Sequence, residues 1–128
     1  MERVLGRFGP QLYAVMRIVV GLLFACHGAQ KLFGVLGMNQ HVALASKLGA
    51  AGVIEFVGGL LIAIGFLTGT AAFIASGEMA YAYFTVHMPR GGLPIQNGGE
   101  RAILYCFVFL YIAARGAGVW GVDKRTRV

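Results

Sequence analysis

Five ionisable side chains lie inside long apolar segments of this 128-residue chain. Arg17, His27 and Lys31 are in the first segment, Glu55 is near the start of the second, and Glu78 is in the middle of the third. A charge at membrane depth costs about 3 kcal/mol, so each of these groups is expected to face a protein interior and a partner. Carboxylates, an imidazole and an amine in such surroundings can exchange protons or hold a polar ligand.

Two of these groups lie at similar depth on neighbouring segments. Lys31 and Glu55 are each about one helical turn from the same boundary of the apolar region, so an ion pair between them would satisfy both charges. Alternatively, Glu55 is a proton-accepting carboxylate beside a ligand. His27, with an ordinary pKa near neutrality, is either a ligand contact or a satisfied polar residue of a helix. The sequence leaves these alternatives open.

A second pair is predicted deeper in the apolar region. The first and third segments start on the same side of the apolar region, and Arg17 and Glu78 both lie toward that side of their segments. A guanidinium group can bridge the remaining helical turn. We therefore predict a buried ion pair between Arg17 and Glu78. The alternative is a protonated Glu78 in low-dielectric surroundings that forms part of a proton path.

The connection before the last segment carries further candidates. His87 falls opposite Glu78 on an ideal helical wheel, so it joins the same site only if the helix ends or bends there, as Pro89 favours. Asn97 is predicted to cap the fourth helix, and Glu100 to meet its positive end. The alternative is that Asn97 and Glu100 bind a ligand. Arg101, which follows Glu100, is expected to contact lipid headgroups or an anionic ligand.

Cysteine and metal chemistry are both disfavoured. Cys26 and Cys106 stand alone without a Cys-x-x-Cys motif, and a thiol relay needs paired thiols within reach. They are expected to be ordinary apolar residues. His27, His41 and His87 are too dispersed for a metal-binding pattern, so no metal site is predicted.

The elements that position these residues follow from hydropathy. Hydrophobic residues make up 58% of the chain and charged residues 12%, against roughly 45–50% and about 25% in soluble domains. Four apolar segments, about 12–33, 51–68, 70–88 and 102–118, are each long enough to cross a hydrocarbon core of about 30 Å. A soluble bundle would need polar helix faces, yet residues 103–114 are apolar nearly all round. The prediction is an all-α, integral membrane, antiparallel four-helix bundle that forms a single domain over residues 1–128.

Aromatic residues are frequent along these segments. They could form the walls of a slot for a flat ligand, although aromatic residues are equally ordinary in packed helices. The candidates are Phe24, Tyr81, Tyr83, Tyr105, Phe107 and Tyr111.

Basic residues predict the orientation. They are concentrated near the two ends of the chain, which an even number of spans places on one side, so the termini are predicted to be cytoplasmic. The net charge of +6 then favours contact with the anionic lipid bilayer. Nucleic-acid binding is disfavoured because the basic residues are few and are not patterned with aromatic residues. The first segment is expected to be a retained helix, since no small-x-small cleavage site follows it. The residues near the ends are Arg3, Arg7, Arg115, Lys124, Arg125 and Arg127.

Several short blocks follow one another in order between Arg17 and Asp123. They are His27-Gly28-Ala29-Gln30-Lys31-Leu32, Glu55-Phe56-Val57-Gly58-Gly59, Gly65-Phe66-Leu67-Thr68-Gly69-Thr70-Ala71-Ala72, Glu78-Met79-Ala80, His87-Met88-Pro89 with Pro94, Asn97-Gly98-Gly99-Glu100, and Trp120-Gly121-Val122-Asp123. Each block alone is weak, but in this order they are specific. Together they resemble the DoxX family.

The resemblance implies a bacterial inner-membrane protein of four helices. The family takes its name from a thiosulfate:quinone oxidoreductase, and other members are linked to oxidative-stress complexes with soluble enzymes. Distant eukaryotic relatives act as membrane chaperones or cargo adaptors. Because one fold serves several roles, the resemblance alone does not decide whether this chain is an enzyme.

The resemblance and the polar cluster together suggest a membrane subunit of a redox or oxidative-stress system, with a quinone or lipid-like ligand between the helices. No haem, flavin or iron–sulfur motif is recognisable, so no intrinsic cofactor is expected, and electrons would come from a soluble redox enzyme. The alternative is a non-catalytic membrane adaptor or chaperone that recruits partner proteins. A homo-oligomer is compatible with both hypotheses. The candidate ligand-binding residues are His27, Lys31, Glu55, Glu78, His87, Asn97 and Glu100.

Overall fold

The computed structural model describes residues 1–34 and 46–123, and this part of the chain is helical without a strand. The all-α prediction is confirmed. A helical turn and a 3₁₀ turn precede the first long helix, and a π turn and a 3₁₀ turn extend the third. The long helices are α1 (Gly9–Phe33), α2 (Lys47–Ile64), α3 (Thr68–Ala82) and α4 (Glu100–Arg115), and the short elements are Glu2–Leu5, Gly6–Phe8, Tyr83–His87, Met88–Arg90 and Pro94–Asn97.

Large apolar side chains cover the outer surface of the helices. Phe73, Leu104 and Phe107 are each 64–65% exposed, together with many other aliphatic and aromatic residues. A water-soluble monomer rarely exposes so much contiguous apolar area, whereas a bilayer accommodates it. By length and composition the segment Glu2–Phe33 could cross a membrane, and Leu48–Ile64 is a shorter apolar helix. The architecture agrees with the predicted integral membrane bundle.

Helices α1 and α2 pack with their backbones in close contact. Gly21 of α1 lies against Gly59 and Ala63 of α2, and Gly28 of α1 lies against Phe56 of α2. The contacts move toward the start of α2 as they move toward the end of α1, so the two helices are antiparallel. Small residues at such crossings let the helix axes approach closely.

Helices α3 and α4 form the second antiparallel pair. Ser76 of α3 donates a hydrogen bond to the carbonyl oxygen of Cys106 in α4 at 2.7 Å. Alanine residues of α3 pack against Phe109 and Ile112 of α4, and Phe24 of α1 joins them in the buried core. Both thiols, Cys26 and Cys106, are free.

The helix limits differ from the predicted ones where glycine intervenes. Helix α2 ends at Ile64 because Gly65 takes a left-handed conformation, with φ 73°, and α3 begins at Thr68 rather than after residue 69. Helix α4 ends at Arg115, before Gly116 with φ 79°. Glycine adopts positive φ without steric cost, so it ends a helix that hydropathy alone would continue.

Arg17 is fully buried and binds backbone carbonyl groups. Its Nη1 donates to the carbonyl oxygens of Ile62 and Ala63 at 2.8 and 2.7 Å, at the end of α2. Its Nη2 donates to Val119 and Trp120 at 3.3 and 3.1 Å, in the segment after α4. Arg17 thus joins the end of α2 to the C-terminal segment.

The predicted ion pair between Arg17 and Glu78 is therefore wrong. Arg17 lies beside the start of α3, whereas Glu78 lies about 15 Å further along that helix at 1.5 Å per residue. The last carbonyl oxygens of α2 lack the N–H donors that a continuing helix would supply four residues on, so they accept hydrogen bonds from the guanidinium group in place of a carboxylate.

Asp123 completes the contact between the C-terminal segment and the bundle. Its carboxylate accepts hydrogen bonds from the backbone N–H groups of Leu67 and Thr68 and from the Thr68 hydroxyl, at 2.7–3.0 Å. These bonds, led by the Thr68 N–H, hold the pKa of Asp123 below its usual value. Asp123 serves as the cap that the start of α3 lacks in its own sequence. Lys124, Arg125 and Arg127, three of the basic residues that predict the orientation, lie outside the described residues.

Candidate functional site

A cavity of about 1010 Å³ lies between the four helices, at the end of the bundle opposite Arg17. Apolar side chains such as Phe24, Ile54, Ile74 and Met79 form much of its wall. Polar residues from every helix also line it, namely His27, Lys31, Glu55, Glu78, His87, Arg90, Arg101 and Tyr105.

Lys31 and Glu55 form an ion pair in the wall of this cavity. Lys31 Nζ lies 2.5 Å from Glu55 Oε2, and the side chains of the two residues are 26% and 2% exposed. The pairing follows from the packing of α1 on α2, because Gly28, one turn before Lys31, lets the helices touch beside Glu55. The predicted ion pair is confirmed, and it places a neutralised pair of charges next to the cavity.

Glu78 adjoins this pair from α3. Its carboxyl group is within hydrogen-bonding reach of Glu55, and Lys31 is within electrostatic range of both. Two carboxyl groups in contact repel each other when both are ionised, so a hydrogen bond between them requires a shared proton. Glu78 Oε1 is buried and has no hydrogen-bond partner among the described residues. Glu78 makes no ion pair among the described residues, which is compatible with the protonated form, and its protonation stays a prediction.

His27 lies one turn before Lys31 and faces Tyr105 of α4. The His27 and Tyr105 rings meet edge to face, with centroids 6.2 Å apart. Tyr105 in turn stacks on Phe109, at 5.5 Å and 13°. His27 therefore has an aromatic neighbour that limits its ring orientation at the cavity wall.

His87 reaches the cavity through an irregular end of α3. The π turn Tyr83–His87 contains more residues per turn than an α-helix, which rotates the following side chains relative to Glu78. Both His87 and Glu78 consequently line the same cavity. His87 Nδ1 lies 3.2 Å from the carbonyl oxygen of Asn97, and its ring stacks on Tyr83 at 6.4 Å. The bend that the sequence required is present.

Asn97 supports the loop and does not line the cavity. Its side chain is buried and donates to Gly91 O at 3.0 Å and Tyr83 Oη at 3.3 Å, while its Oδ1 accepts from Gly99 N at 2.8 Å. The predicted cap is wrong, because α4 begins at Glu100 with Gly99 as its N-cap residue. The Asn97 amide group instead makes its hydrogen bonds within the preceding loop and to Tyr83. Glu100 lies in the first turn of α4, exposed and outside the cavity lining.

Two arginines that were not among the candidate ligand-binding residues, Arg90 and Arg101, also line the cavity. Arg101 lines the cavity and lies within electrostatic range of His27 and Tyr105. Arg90 lines it too, and sequence reasoning missed it because it lies in a loop after Pro89, where a basic residue is unremarkable. Of the predicted aromatic walls, Phe24, Tyr81 and Tyr105 line the cavity, whereas Phe107 and Tyr111 lie on the outer surface.

Among residues 1–34 and 46–123, His, Cys, Asp and Glu form no group of three or more that could hold a metal ion. The charged and titratable groups around the apolar space include an amine, two carboxyls, two imidazoles and two guanidinium groups. This arrangement is suited to proton exchange and to hydrogen bonds with a ligand.

Comparison with known proteins finds a matching family model and similar bacterial proteins. The family model described as DoxX matches residues 12–88. An uncharacterized protein of Haemophilus influenzae is 43% identical over 128 residues, covering 94% of this chain and 95% of that protein. The inner membrane protein YqjF of Escherichia coli is 29% identical over 127 residues, covering 86% of this chain and 88% of that protein. No solved structure matches the chain.

Proposed function

This chain belongs to the DoxX family of membrane proteins, and on that premise we propose that it is a membrane subunit of a redox system that binds a quinone-like ligand between its helices. The cavity of about 1010 Å³ is the observation that carries the proposal. It is at the upper end of the roughly 300–1,000 Å³ of small-molecule sites, and it combines apolar walls with a few convergent polar groups.

The polar residues offer what such a ligand needs. A quinone takes up electrons in its ring and protons at its carbonyl oxygens. His27 can donate a hydrogen bond to a carbonyl oxygen at the cavity wall. Glu78 and Glu55 can hold and release a proton, and Lys31 supplies a positive charge beside them. The electrons would come from a soluble redox enzyme that docks on the membrane protein.

Ligand binding can be tested by thermal stability. A quinone analogue with a short tail is expected to raise the melting temperature of the purified protein, because a ligand at a hundredfold its dissociation constant contributes about 2.7 kcal/mol. His27→Ala is expected to abolish this shift. Leu23→Ala is the matched control, since Leu23 lies on the same helix and is 52% exposed.

The outcome also separates the two hypotheses for the family. A shift that survives His27→Ala would place the ligand elsewhere. No shift in the parent protein, together with stable capture of one soluble enzyme, would favour a membrane adaptor. We keep the adaptor as the second candidate function for that reason.

We also propose an inner-membrane location with cytoplasmic termini, on the strength of the basic residues at both ends. After replacement of the native cysteines, Gly92→Cys is expected to react with a membrane-impermeant thiol reagent added to the periplasm. Phe66→Cys, in the exposed turn between α2 and α3, is expected to react only after permeabilisation. The opposite pattern would reverse the orientation.

A further inference from the structure

Two cations at the cavity have no counter-charge among the residues that the structure describes. Arg90 and Arg101 both line the cavity and are exposed. Within residues 1–34 and 46–123, the one ion pair is between Lys31 and Glu55, and neither arginine makes a hydrogen bond. The excess charge of the cavity wall is therefore positive, and it is located where Arg90 and Arg101 reach it.

The acidic groups nearby do not compensate these arginines. Glu55 is paired with Lys31, and the carboxyl group of Glu78 adjoins Glu55. Glu100 is next to Arg101 in sequence but is exposed and outside the cavity lining. A guanidinium group has a fixed fork of donors that fits a phosphate or carboxylate, so two free ones beside a cavity suit an anion.

The surroundings of Arg90 indicate where that anion comes from. Met88, Leu93 and Ile95 are 51%, 57% and 78% exposed in the same loop. Exposed apolar side chains around an arginine are typical of the membrane interface, where the apolar groups contact acyl chains and the charge stays at the level of the headgroups. A free anion in water would not need this apolar surface.

We propose that Arg90 and Arg101 form a binding site for an anionic phospholipid of the bilayer. The phosphate group lies between the two guanidinium groups at the rim of the cavity. The acyl chains lie along the exposed apolar residues Leu93 and Ile95. This site goes beyond the proposed quinone site and does not depend on it, because His27, Lys31, Glu55 and Glu78 take no part in it.

The test compares lipids of equal chain length on the full chain purified in neutral detergent. Short-chain phosphatidylglycerol is expected to bind about tenfold more tightly than phosphatidylcholine, as measured by native mass spectrometry and by melting temperature. An Arg90→Gln, Arg101→Gln double variant is expected to lose this preference. The matched control is Arg3→Gln with Arg7→Gln, which removes equal charge from exposed arginines before the start of α1, at the end of the bundle opposite the cavity.

Further variants separate the site from a general charge effect. An Arg90→Lys, Arg101→Lys variant keeps the charge and is expected to retain part of the preference. The ligand-free melting temperature of the glutamine double variant is expected to match the parent, since the two arginines are exposed and unpaired among the described residues. His27→Ala is expected to keep the lipid preference, so a failure of the quinone proposal would leave this result unchanged.

Four results would overturn the proposal. They are equal binding of both lipids, a preference that survives the glutamine double variant, an equal loss in the Arg3 and Arg7 control, and a shift of the same size with inorganic phosphate alone. The last result would indicate a site for a free anion in place of a lipid.

Discussion

A Glu55→Gln variant is expected to be much less stable than the parent protein, whereas Glu78→Gln is expected to keep most of the stability. Glu55 is buried, and its loss leaves the ammonium group of Lys31 without a counter-charge. Breaking a buried pair costs about 3–5 kcal/mol, and the lower end applies because the Lys31 side chain is 26% exposed. Glu78 has no such partner among the described residues, and a glutamine amide can donate a hydrogen bond to Glu55 as a protonated acid would.

The measurement is the unfolding free energy in detergent for both single variants and for a Lys31→Met, Glu55→Gln double variant. Glu78→Gln is expected to cost under about 1 kcal/mol. The double variant is expected to recover much of the loss, because removing both charges also removes the unpaired one. Equal losses for the two glutamate variants would show that the ion pair does not distinguish these positions.

The sequence foresaw the Lys31–Glu55 contact because two simple signals coincide there. Hydropathy places both residues near one boundary of the apolar region, and a glycine precedes each of them by about one helical turn in the sequence. Helices that meet through Gly28 and Gly52 bring neighbouring side chains together. Depth and face were enough in this case.

The sequence misplaced Arg17 because its partners carry no side-chain signal. Arg17 binds backbone carbonyl groups, and any residue type could supply those of Val119 and Trp120. Hydropathy also extended α2 beyond Gly65, which shifted the expected depth of Glu78 toward Arg17. A left-handed glycine at a helix end is compatible with several turn positions, so its place is fixed only by packing.

The position of His87 shows a different limit. A helical wheel assumes a constant angle per residue, and that assumption fails in the π turn Tyr83–His87. The turn coincides with the contacts of Tyr83 and His87 to Asn97, which are non-local in sequence. Pro89 indicated a break in the helix, but only the tertiary contacts determine how far the side chain rotates.

Two neighbouring glycines of α2 give the second prediction. Gly59→Ala is expected to destabilise the protein, whereas Gly58→Ala is expected to be neutral or stabilising. A Cβ atom on Gly59 would lie 2.5 Å from the backbone N of Ala25 and the carbonyl O of Gly21 in α1. A Cβ atom on Gly58 would meet nothing within 4 Å. The two substitutions are chemically identical and differ only in what the new methyl group meets.

The magnitude follows from the atoms in contact. Overpacking costs about 1–3 kcal/mol, and the upper end applies to Gly59 because helix backbones cannot move aside as flexible side chains do. At Gly58 the gain in helix propensity from glycine to alanine is up to about 1 kcal/mol. Melting temperatures in detergent would measure both.

A glycine-to-alanine substitution at a third position, Gly28, also tests whether the packing of α1 on α2 holds the Lys31–Glu55 pair together. Because one glycine contact sets the spacing of α1 and α2 beside the Lys31–Glu55 pair, Gly28→Ala is expected to separate these charges as well as to lower the melting temperature. After Gly28→Ala, a further Glu55→Gln substitution should therefore cost less than it does in the parent. Additive losses for Gly28→Ala and Glu55→Gln would mean that the helix crossing and the ion pair are independent.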